Sequence, residues 1–358
     1  MDTRIIRIQG GGDSLSPEEE QALREAGEVL RRGGLVAFPT ETVYGLGGDA
    51  LNPESSRKIY AAKGRPSDNP LIVHIARMDD LDNIVRRVPQ EAVCLAEAFW
   101  PGPLTMILPK ADNVPDETTG GLGTVAVRMP AHPVARRLIS CGGGYVAAPS
   151  ANLSGRPSPT AAKYVIEDME GHVDIIIDGG EGDIGLESTI VDLTVSPPQL
   201  LRPGYITQDM LTEVLGQISV DQTILKSDSG QAPRAPGMKY RHYAPRGELT
   251  IVSGPVRQVT DYINCHAALD REQGRKVGVI GTDEVLAKYR ADVVRSLGSR
   301  RDEESIARHL YGILREFDDE NVDTIYSECF EATGLGQAIM NRLLKAAGHR
   351  LVELDGNW

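Results

Sequence analysis

The sequence is poor in aromatic residues, and its basic residues are outnumbered by acidic ones. Aromatic side chains make up 5% of the 358 residues, with 38 lysines and arginines against 51 aspartates and glutamates. Proteins that follow single-stranded nucleic acid use aromatic stacking, and tight binding of nucleic acid uses cations that neutralise phosphates. The net charge of −13 therefore argues against tight, direct nucleic-acid binding as the main role, although it leaves room for a local basic patch.

The sequence also lacks close cysteine pairs and long apolar runs. Its four cysteines form no C-x-x-C motif: Cys94, Cys141, Cys265 and Cys329. This spacing fits neither a zinc site nor a disulfide framework and indicates a reducing compartment. The start of the chain has no apolar stretch typical of a signal peptide, and no run approaches the roughly 18 apolar residues that cross a bilayer. We therefore expect a soluble, cytoplasmic protein.

The chain length predicts two domains, since domains average about 150 residues. Strand and helix signals alternate over residues 1–216 and again over 248–358, whereas 217–247 is polar and then rich in proline. The first part predicts an α/β domain built on a twisted mixed sheet, and the last part predicts a small Rossmann-like α/β domain. The turn after residues 276–281 lacks the G-x-G-x-x-G fingerprint, so this shape would not imply a dinucleotide cofactor.

Polar side chains follow several strands of the first part, where α/β proteins place their ligands. The segment FPTETVYGLGGD, residues 38–49, follows an apolar strand, although a tight turn would also explain its glycines. Lys63 and Arg65 are two apart at a helix end. They are either two solvated cations at a helix C-terminus or a lysine and an arginine that converge on a polyphosphate. His74 lies in an apolar strand, where a histidine is more often a satisfied core residue than a ligand.

A second pair of segments combines a buried cation with a hydroxyl-rich loop. Thr124 and Arg128 are four apart in a predicted strand and share one face of it. Arg128 lies in an otherwise apolar run, where a charge is costly without an anionic partner. Residues 150–158 carry hydroxyl and amide groups suited to phosphate oxygens, although an ordinary Ser/Asn/Pro turn would have the same composition.

Farther along, Ser188 opens one predicted strand and Arg202 closes another. The sequence contains no Walker A motif, kinase signature, G-x-S-x-G elbow or H-x-H metal pair. ATP use therefore does not follow from a generic motif.

Taken together, the polar segments resemble the YrdC-like domain of threonylcarbamoyl-AMP synthases. The strings that carry the resemblance occur in this order: FPTETVYGL, AAKGRPSDNPLIVHI, WPGPLTMIL, TVAVRMPAHP, APSANLSGRPSPT, ESTIVDL and LLRPG. APGMKYRHYAP resembles the linker of the long form of that family, and residues 334–347 resemble the end of its C-terminal domain. The resemblance covers nearly the whole chain.

The resemblance implies an activity: L-threonine, bicarbonate and ATP would yield threonylcarbamoyl-AMP and pyrophosphate. Mg²⁺ would accompany ATP, held mainly by phosphate oxygens and water rather than by protein ligands. The product would pass to a separate transferase that modifies the adenosine next to the tRNA anticodon, with weak or no direct tRNA binding by this chain.

The resemblance also implies roles for individual residues. Lys63 and Arg65 would be the catalytic phosphate contacts. The other ATP-binding residues would be Asn69, Thr124, Ser150, Asn152, Ser158, Arg202 and Arg241. The threonine-binding residues would be Thr42, with Thr40 as the open alternative, His74, Arg128, the backbone at Ala148, and Ser188. The linker residues Lys239, Tyr240, Arg241 and His242 would form a lid over the site.

Two other functions stay open on the sequence. YrdC-like sheets resemble double-stranded RNA-binding surfaces, although the acidic charge balance argues against this as the main role. YrdC-like domains also occur in hydrogenase-maturation carbamoyltransferases, but the acylphosphatase and zinc-finger parts of those enzymes have no counterpart in this sequence. Dependence on free threonine would separate a carbamoyltransferase of that kind from a threonylcarbamoyl-AMP synthase.

Overall fold

The computed structural model describes residues 2–9, 15–224 and 243–354, and these residues form two compact units. The first unit draws on Met1–Ser154 and Ser158–Lys239, and the second on Gly155–Pro157 and Tyr240–Trp358. Both combine helices with a sheet, which confirms the predicted α/β class. The domain limits at 216 and 248 stay a prediction, because most of the intervening segment lies outside the described residues.

The first unit is built on a mixed sheet of eleven described strands. They are β1 (Arg4–Arg7), β2 (Val36–Phe38), β3 (Gly45–Asp49), β4 (Ile72–Ile75), β5 (Leu104–Pro109), β6 (Thr124–Arg128), β7 (Tyr145–Ala147), β8 (Ile175–Asp178), β9 (Thr189–Asp192), β10 (Gln199–Arg202) and β11 (Ser219–Val220). The strand order is β1-β8-β2-β3-β7-β4-β6-β5-β9-β10-β11. Parallel and antiparallel neighbours both occur, as the prediction of a mixed sheet requires.

The helices of this unit are α1 (Pro17–Arg31), α2 (Pro53–Lys63), α3 (Gln90–Phe99), α4 (Asp116–Thr119), α5 (Pro133–Cys141), α6 (Ala162–Met169) and α7 (Gln208–Leu215). Short 3₁₀ helices cover Met78–Asn83 and Gln222–Ile224. Helix α1 begins with a capping box, in which the Ser16 hydroxyl and the Glu19 carboxylate each accept the other residue's backbone N–H. Helix α2 ends at Gly64, whose left-handed backbone conformation suits glycine and turns the chain directly after Lys63.

The core of this unit lies on both faces of the sheet because successive strand residues point to opposite sides. In β2, Val36 and Phe38 pack with apolar residues of α1 and α5, while Ala37 packs with residues of α2 and α3 on the other side. Strands that are covered on both faces have continuous runs of apolar residues in their sequence. This is why the apolar runs predicted these strands.

Strand pairing brings the predicted site residues together at the centre of the sheet. His74 on β4 is directly opposite Arg128 on the parallel strand β6. Arg128 is also opposite Thr105 on β5, and β5 pairs in parallel with β9, which begins one residue after Ser188. These contacts join segments that are far apart in the sequence.

The second unit contains a parallel sheet of five described strands. Its strands are β12 (Glu248–Ser253), β13 (Val277–Gly281), β14 (Val293–Ser296), β15 (Thr324–Glu328) and β16 (Leu351–Glu353), in the order β14-β13-β15-β12-β16. Its helices are α8 (Val256–Glu272), α9 (Glu303–Asp319) and α10 (Gly334–Ala346), with a 3₁₀ helix at Leu286–Lys288. The predicted open parallel sheet is confirmed.

Within the described parts of the chain, no helix is both long enough and apolar enough to cross a membrane.

Candidate active site

A buried ion pair lies at the centre of the predicted threonine-binding set. Arg128, on β6, donates from Nη2 to Glu41 Oε1 at 2.7 Å, and both side chains are buried. Burial would raise the pKa of Glu41, but the adjacent guanidinium holds that pKa below its ordinary value, so the carboxylate stays charged. The anionic partner that the sequence required for Arg128 is therefore a residue of the protein itself.

Two threonine hydroxyls lie against this ion pair. Arg128 Nη1 donates to Thr42 Oγ1 at 2.9 Å, and Thr42 Oγ1 is 2.9 Å from Thr40 Oγ1. Thr40 Oγ1 in turn lies 2.6 Å from the carbonyl oxygen of Val43. The FPTET segment between β2 and β3 thus forms a hydrogen-bonded network with β6, which an ordinary tight turn does not require.

His74 is a neutral, buried ring in this cluster. Burial, with a smaller contribution from the nearby Arg128 charge, lowers the pKa of His74 to about 3. Its Nδ1 lies 3.1 Å from the carbonyl oxygen of Ile72, and the ring packs edge-on against Phe38. These contacts are also those of a satisfied core histidine, so the proposed ligand role of His74 stays a prediction.

Ser188 connects the predicted threonine set with the predicted ATP set. Its Oγ lies 2.7 Å from Thr105 Oγ1, and Arg202 Nη2 donates to the same oxygen at 3.1 Å. Arg202 Nε also donates to the Ser188 carbonyl oxygen at 3.0 Å. Ser188 belongs to the predicted threonine set and Arg202 to the predicted ATP set, so the two sets meet at this contact.

The threonine set as a whole is enclosed by protein. Its members Thr42, His74, Arg128, Ala148 and Ser188 are all buried. Charges interact more strongly away from water, so a ligand among these residues would be held by stronger electrostatic interactions than at a surface.

Lys63 is buried and holds the hydroxyl-rich loop. Its ammonium group donates to the backbone carbonyl oxygens of Ser150 and Asn152, and Ser150 Oγ donates to Asn152 Oδ1 at 2.5 Å. With only 2% of its surface exposed, Lys63 is not a solvated surface charge. These contacts bring three residues of the predicted ATP set together, although they leave direct phosphate contact a prediction.

Arg65 and Asn69 form a second part of the predicted ATP set. Arg65 Nη2 donates to the carbonyl oxygens of Asn69 and Pro70 at 3.3 and 3.2 Å. The Asn69 side chain is 1% exposed, and both its amide nitrogen and its amide oxygen have no hydrogen-bond partner among the described residues. Buried amides are nearly always paired, so an amide without a protein partner marks a position suited to a ligand.

The remaining predicted ATP residues are more scattered. Ser158 Oγ donates to Glu187 Oε1 at 2.5 Å. Glu187 immediately precedes Ser188 in the chain. Thr124 begins strand β6, which carries Arg128 at its other end. The predicted lid residues Lys239, Tyr240, Arg241 and His242 lie outside the described part of the chain.

The comparison with known proteins decides the family. The profile described as "Telomere recombination" matches residues 28–204, and that of the threonylcarbamoyl-AMP synthase C-terminal domain matches 206–348. The threonylcarbamoyl-AMP synthase of Pyrococcus abyssi is 50% identical over 336 residues, which cover 94% of this chain and 97% of that protein. The chain belongs to the threonylcarbamoyl-AMP synthase family. The resemblance found in the sequence is thereby confirmed.

Other members of the family match over a similar length. The threonylcarbamoyl-AMP synthase of Bacillus subtilis is 48% identical, and the match covers 95% of this chain and 96% of that protein. The crystal structure of P. abyssi Sua5 complexed with L-threonine superimposes with a TM-score of 0.92 at 48% identity, covering 99% of this chain and all of that one. Membership confirms the prediction of an enzyme, a transferase that forms an adenylate from ATP.

Three polar residues of the site are not among those that the sequence predicted. Glu41 pairs with Arg128, Thr105 contacts Ser188, and Glu187 accepts from Ser158. Each carried a weak signal in the sequence. Thr105 carries the single hydroxyl in the apolar strand LTMILP. Glu41 and Glu187 are each adjacent in the sequence to a predicted site residue.

Proposed function

We propose that the first unit activates L-threonine with ATP. Bicarbonate and the amine of L-threonine form a carbamate with loss of water. A carbamate oxygen then attacks the α-phosphorus of ATP, the bond from that phosphorus to the β-phosphate bridging oxygen breaks, and pyrophosphate leaves. The product is threonylcarbamoyl-AMP, which a separate transferase would use to modify tRNA.

The contact between Ser188 and Arg202 carries this proposal. The reaction joins the carbamate of one substrate to the phosphorus of another, so the two binding sets must adjoin. Arg202 Nη2 lies 3.1 Å from Ser188 Oγ, and this short distance supports binding sites for ATP and threonine that adjoin. The orphan amide of Asn69 supports a ligand on the ATP side.

Positioning and charge stabilisation supply most of the rate for such a step, and no side-chain nucleophile is required. We assign Arg65 to the triphosphate, since a forked guanidinium suits phosphate oxygens. Lys63 would fix the loop at Ser150 and Asn152 against the end of α2 and contribute positive charge beneath the phosphates.

Mg²⁺ would accompany ATP and neutralise its phosphate charge. No group of three or more histidine, cysteine, aspartate or glutamate side chains within the described ranges could hold a metal ion. The Mg²⁺ ion would take its ligands mainly from phosphate oxygens and water.

Pyrophosphate release tests the proposal directly. The purified chain is incubated with ATP and Mg²⁺, with L-threonine and bicarbonate each present or omitted. We expect release only when both are present, with an adenylate as the second product. Release that needs neither would indicate an uncoupled ATPase, and no release together with salt-sensitive tRNA binding would favour the RNA-binding alternative.

The linker and the location of the protein are separate parts of the proposal. Lys239, Tyr240, Arg241 and His242 would close over the ligands, and the protein would act in the cytoplasm. A chain that ends after α7 is expected to lose most of its turnover, because it lacks these residues. Full activity of that shortened chain would contradict the proposed role of these residues as a lid.

A further inference from the structure

The hydrogen bonds around Thr40 and Thr42 determine where the hydroxyl protons lie. A threonine hydroxyl has one proton to donate and two lone pairs to accept with. Thr40 Oγ1 lies 2.6 Å from the carbonyl oxygen of Val43. A carbonyl oxygen can only accept, so the Thr40 hydroxyl proton is donated to Val43. Thr40 must then accept in its 2.9 Å contact with Thr42.

The same reasoning fixes the state of Thr42. Its own proton is donated to Thr40, and one lone pair receives the 2.9 Å hydrogen bond from Arg128 Nη1, a group that can only donate. The backbone N–H of Thr42 also donates to Thr40 Oγ1 at 3.2 Å, which holds the two residues in this arrangement. Thr42 is left with one lone pair and no proton, so it can only accept from a further group.

From this network we infer that Thr40 is a positioning residue that makes Thr42 an acceptor for an N–H or O–H group of the amino-acid substrate. This inference rests on the proposed function and on the predicted contact between Thr42 and L-threonine. The substrate carboxylate has no proton to give, so it cannot bind Thr42. The amine and the side-chain hydroxyl of L-threonine are the two substrate groups that can donate a hydrogen bond to Thr42.

The inference gives the two threonines different roles. Thr42 makes the contact, and Thr40 sets the direction of its hydroxyl. Both side chains are almost wholly buried, so water cannot readily replace Thr40 as the acceptor for the Thr42 proton.

Replacing Thr40 tests the inference, and the chain offers a matched control. Thr40→Val keeps the shape but removes the hydroxyl, whereas Thr40→Ser keeps the hydroxyl. At Thr118, an equally buried hydroxyl donates to the carbonyl oxygen of Ala50 at 2.8 Å and contacts Ser56 Oγ at 2.8 Å, outside the predicted threonine set. Thr118→Val therefore makes the same chemical change in a similar hydroxyl pair.

The assay is the dependence of pyrophosphate release on L-threonine at saturating ATP and bicarbonate. We expect Thr40→Val to raise KM for L-threonine by about tenfold or more, the effect of losing one well-placed hydrogen bond. Thr40→Ser and Thr118→Val should leave it near the wild-type value, and KM for ATP should stay unchanged in all three. A merely structural role for Thr40 would lower activity without this selective change in KM.

L-2-aminobutyrate, which lacks the hydroxyl, identifies the donor. If the side-chain hydroxyl donates, Thr40→Val narrows the preference of the enzyme for L-threonine over this analogue. If the amine donates, KM rises equally for both compounds. Either result agrees with an acceptor role for Thr42.

The inference is overturned if the KM for L-threonine of Thr40→Val equals that of Thr118→Val. Should Thr40→Val not fold, Thr40→Cys places a weakly hydrogen-bonding thiol at the same position, and the same comparison applies. A wild-type protein without threonine-dependent release would instead overturn the proposed function, and the assignment of Thr42 with it.

Discussion

Removing the Asn69 amide should stabilise the ligand-free protein while weakening ATP binding. The side chain is 1% exposed and neither amide atom has a partner within the described part of the chain. A buried polar group left without a hydrogen bond costs about 1–3 kcal/mol. Asn69→Leu replaces the amide by an apolar group of similar size, so we expect the free energy of unfolding to rise by about this amount.

The two effects have opposite signs and can be measured separately. For a domain of this size, about 1 kcal/mol corresponds to a change of roughly 2–4 °C in Tm. Thermal unfolding of Asn69→Leu without ATP should therefore shift upward by at least that much. KM for ATP in the pyrophosphate assay should rise by about tenfold or more, since the ligand loses its amide partner.

Asn341 provides the control for this substitution. Its side chain is also buried, but its Oδ1 accepts from Arg342 Nη1 at 3.2 Å. Asn341→Leu removes a satisfied amide and should lower Tm without changing KM for ATP. If Asn69→Leu also lowers Tm and keeps the wild-type KM for ATP, the Asn69 amide is a structural group and the reasoning fails.

Three further predictions follow from the site. Lys63→Ala and Arg65→Ala should each lower kcat/KM for ATP by about 10- to 100-fold with an unchanged circular dichroism spectrum, and normal turnover in both would remove the phosphate assignment. Glu41→Ala should lower the free energy of unfolding, measured in urea, by about 3–5 kcal/mol, because it leaves the Arg128 charge buried and unpaired. Glu25→Ala breaks the exposed pair with Arg4 and should leave the urea midpoint unchanged. Equal changes in the free energy of unfolding for the two variants would contradict the argument. His74 has a pKa of about 3 in the folded chain, against an ordinary value of 6.5. Between these values the unfolded chain binds the extra proton, so the free energy of unfolding should fall as pH falls from about 6.5 towards 3. Tm should depend less on pH in His74→Gln, and an identical pH profile would show that another group is responsible.

Local sequence signals predicted most of the elements of the fold. Apolar runs located strands such as β2 and β4. Strand β3 was missed because Gly45–Asp49 contains three glycines, which strand propensity disfavours. Strand β16 was missed because only three residues, partly exposed at the end of the sheet, carry it.

The sequence by itself determined the class of the fold and, through the resemblance, the family, and it predicted a set of site residues. Tertiary structure decided how those residues connect: Glu41 meets Arg128 across 87 positions of the chain, and Thr105 meets Ser188 across 83. Such pairs depend on strand order and register, which arise from packing between distant segments rather than from local preference. The direction of each hydroxyl proton at Thr40 and Thr42 also follows only from which acceptors lie within hydrogen-bonding distance in the folded chain.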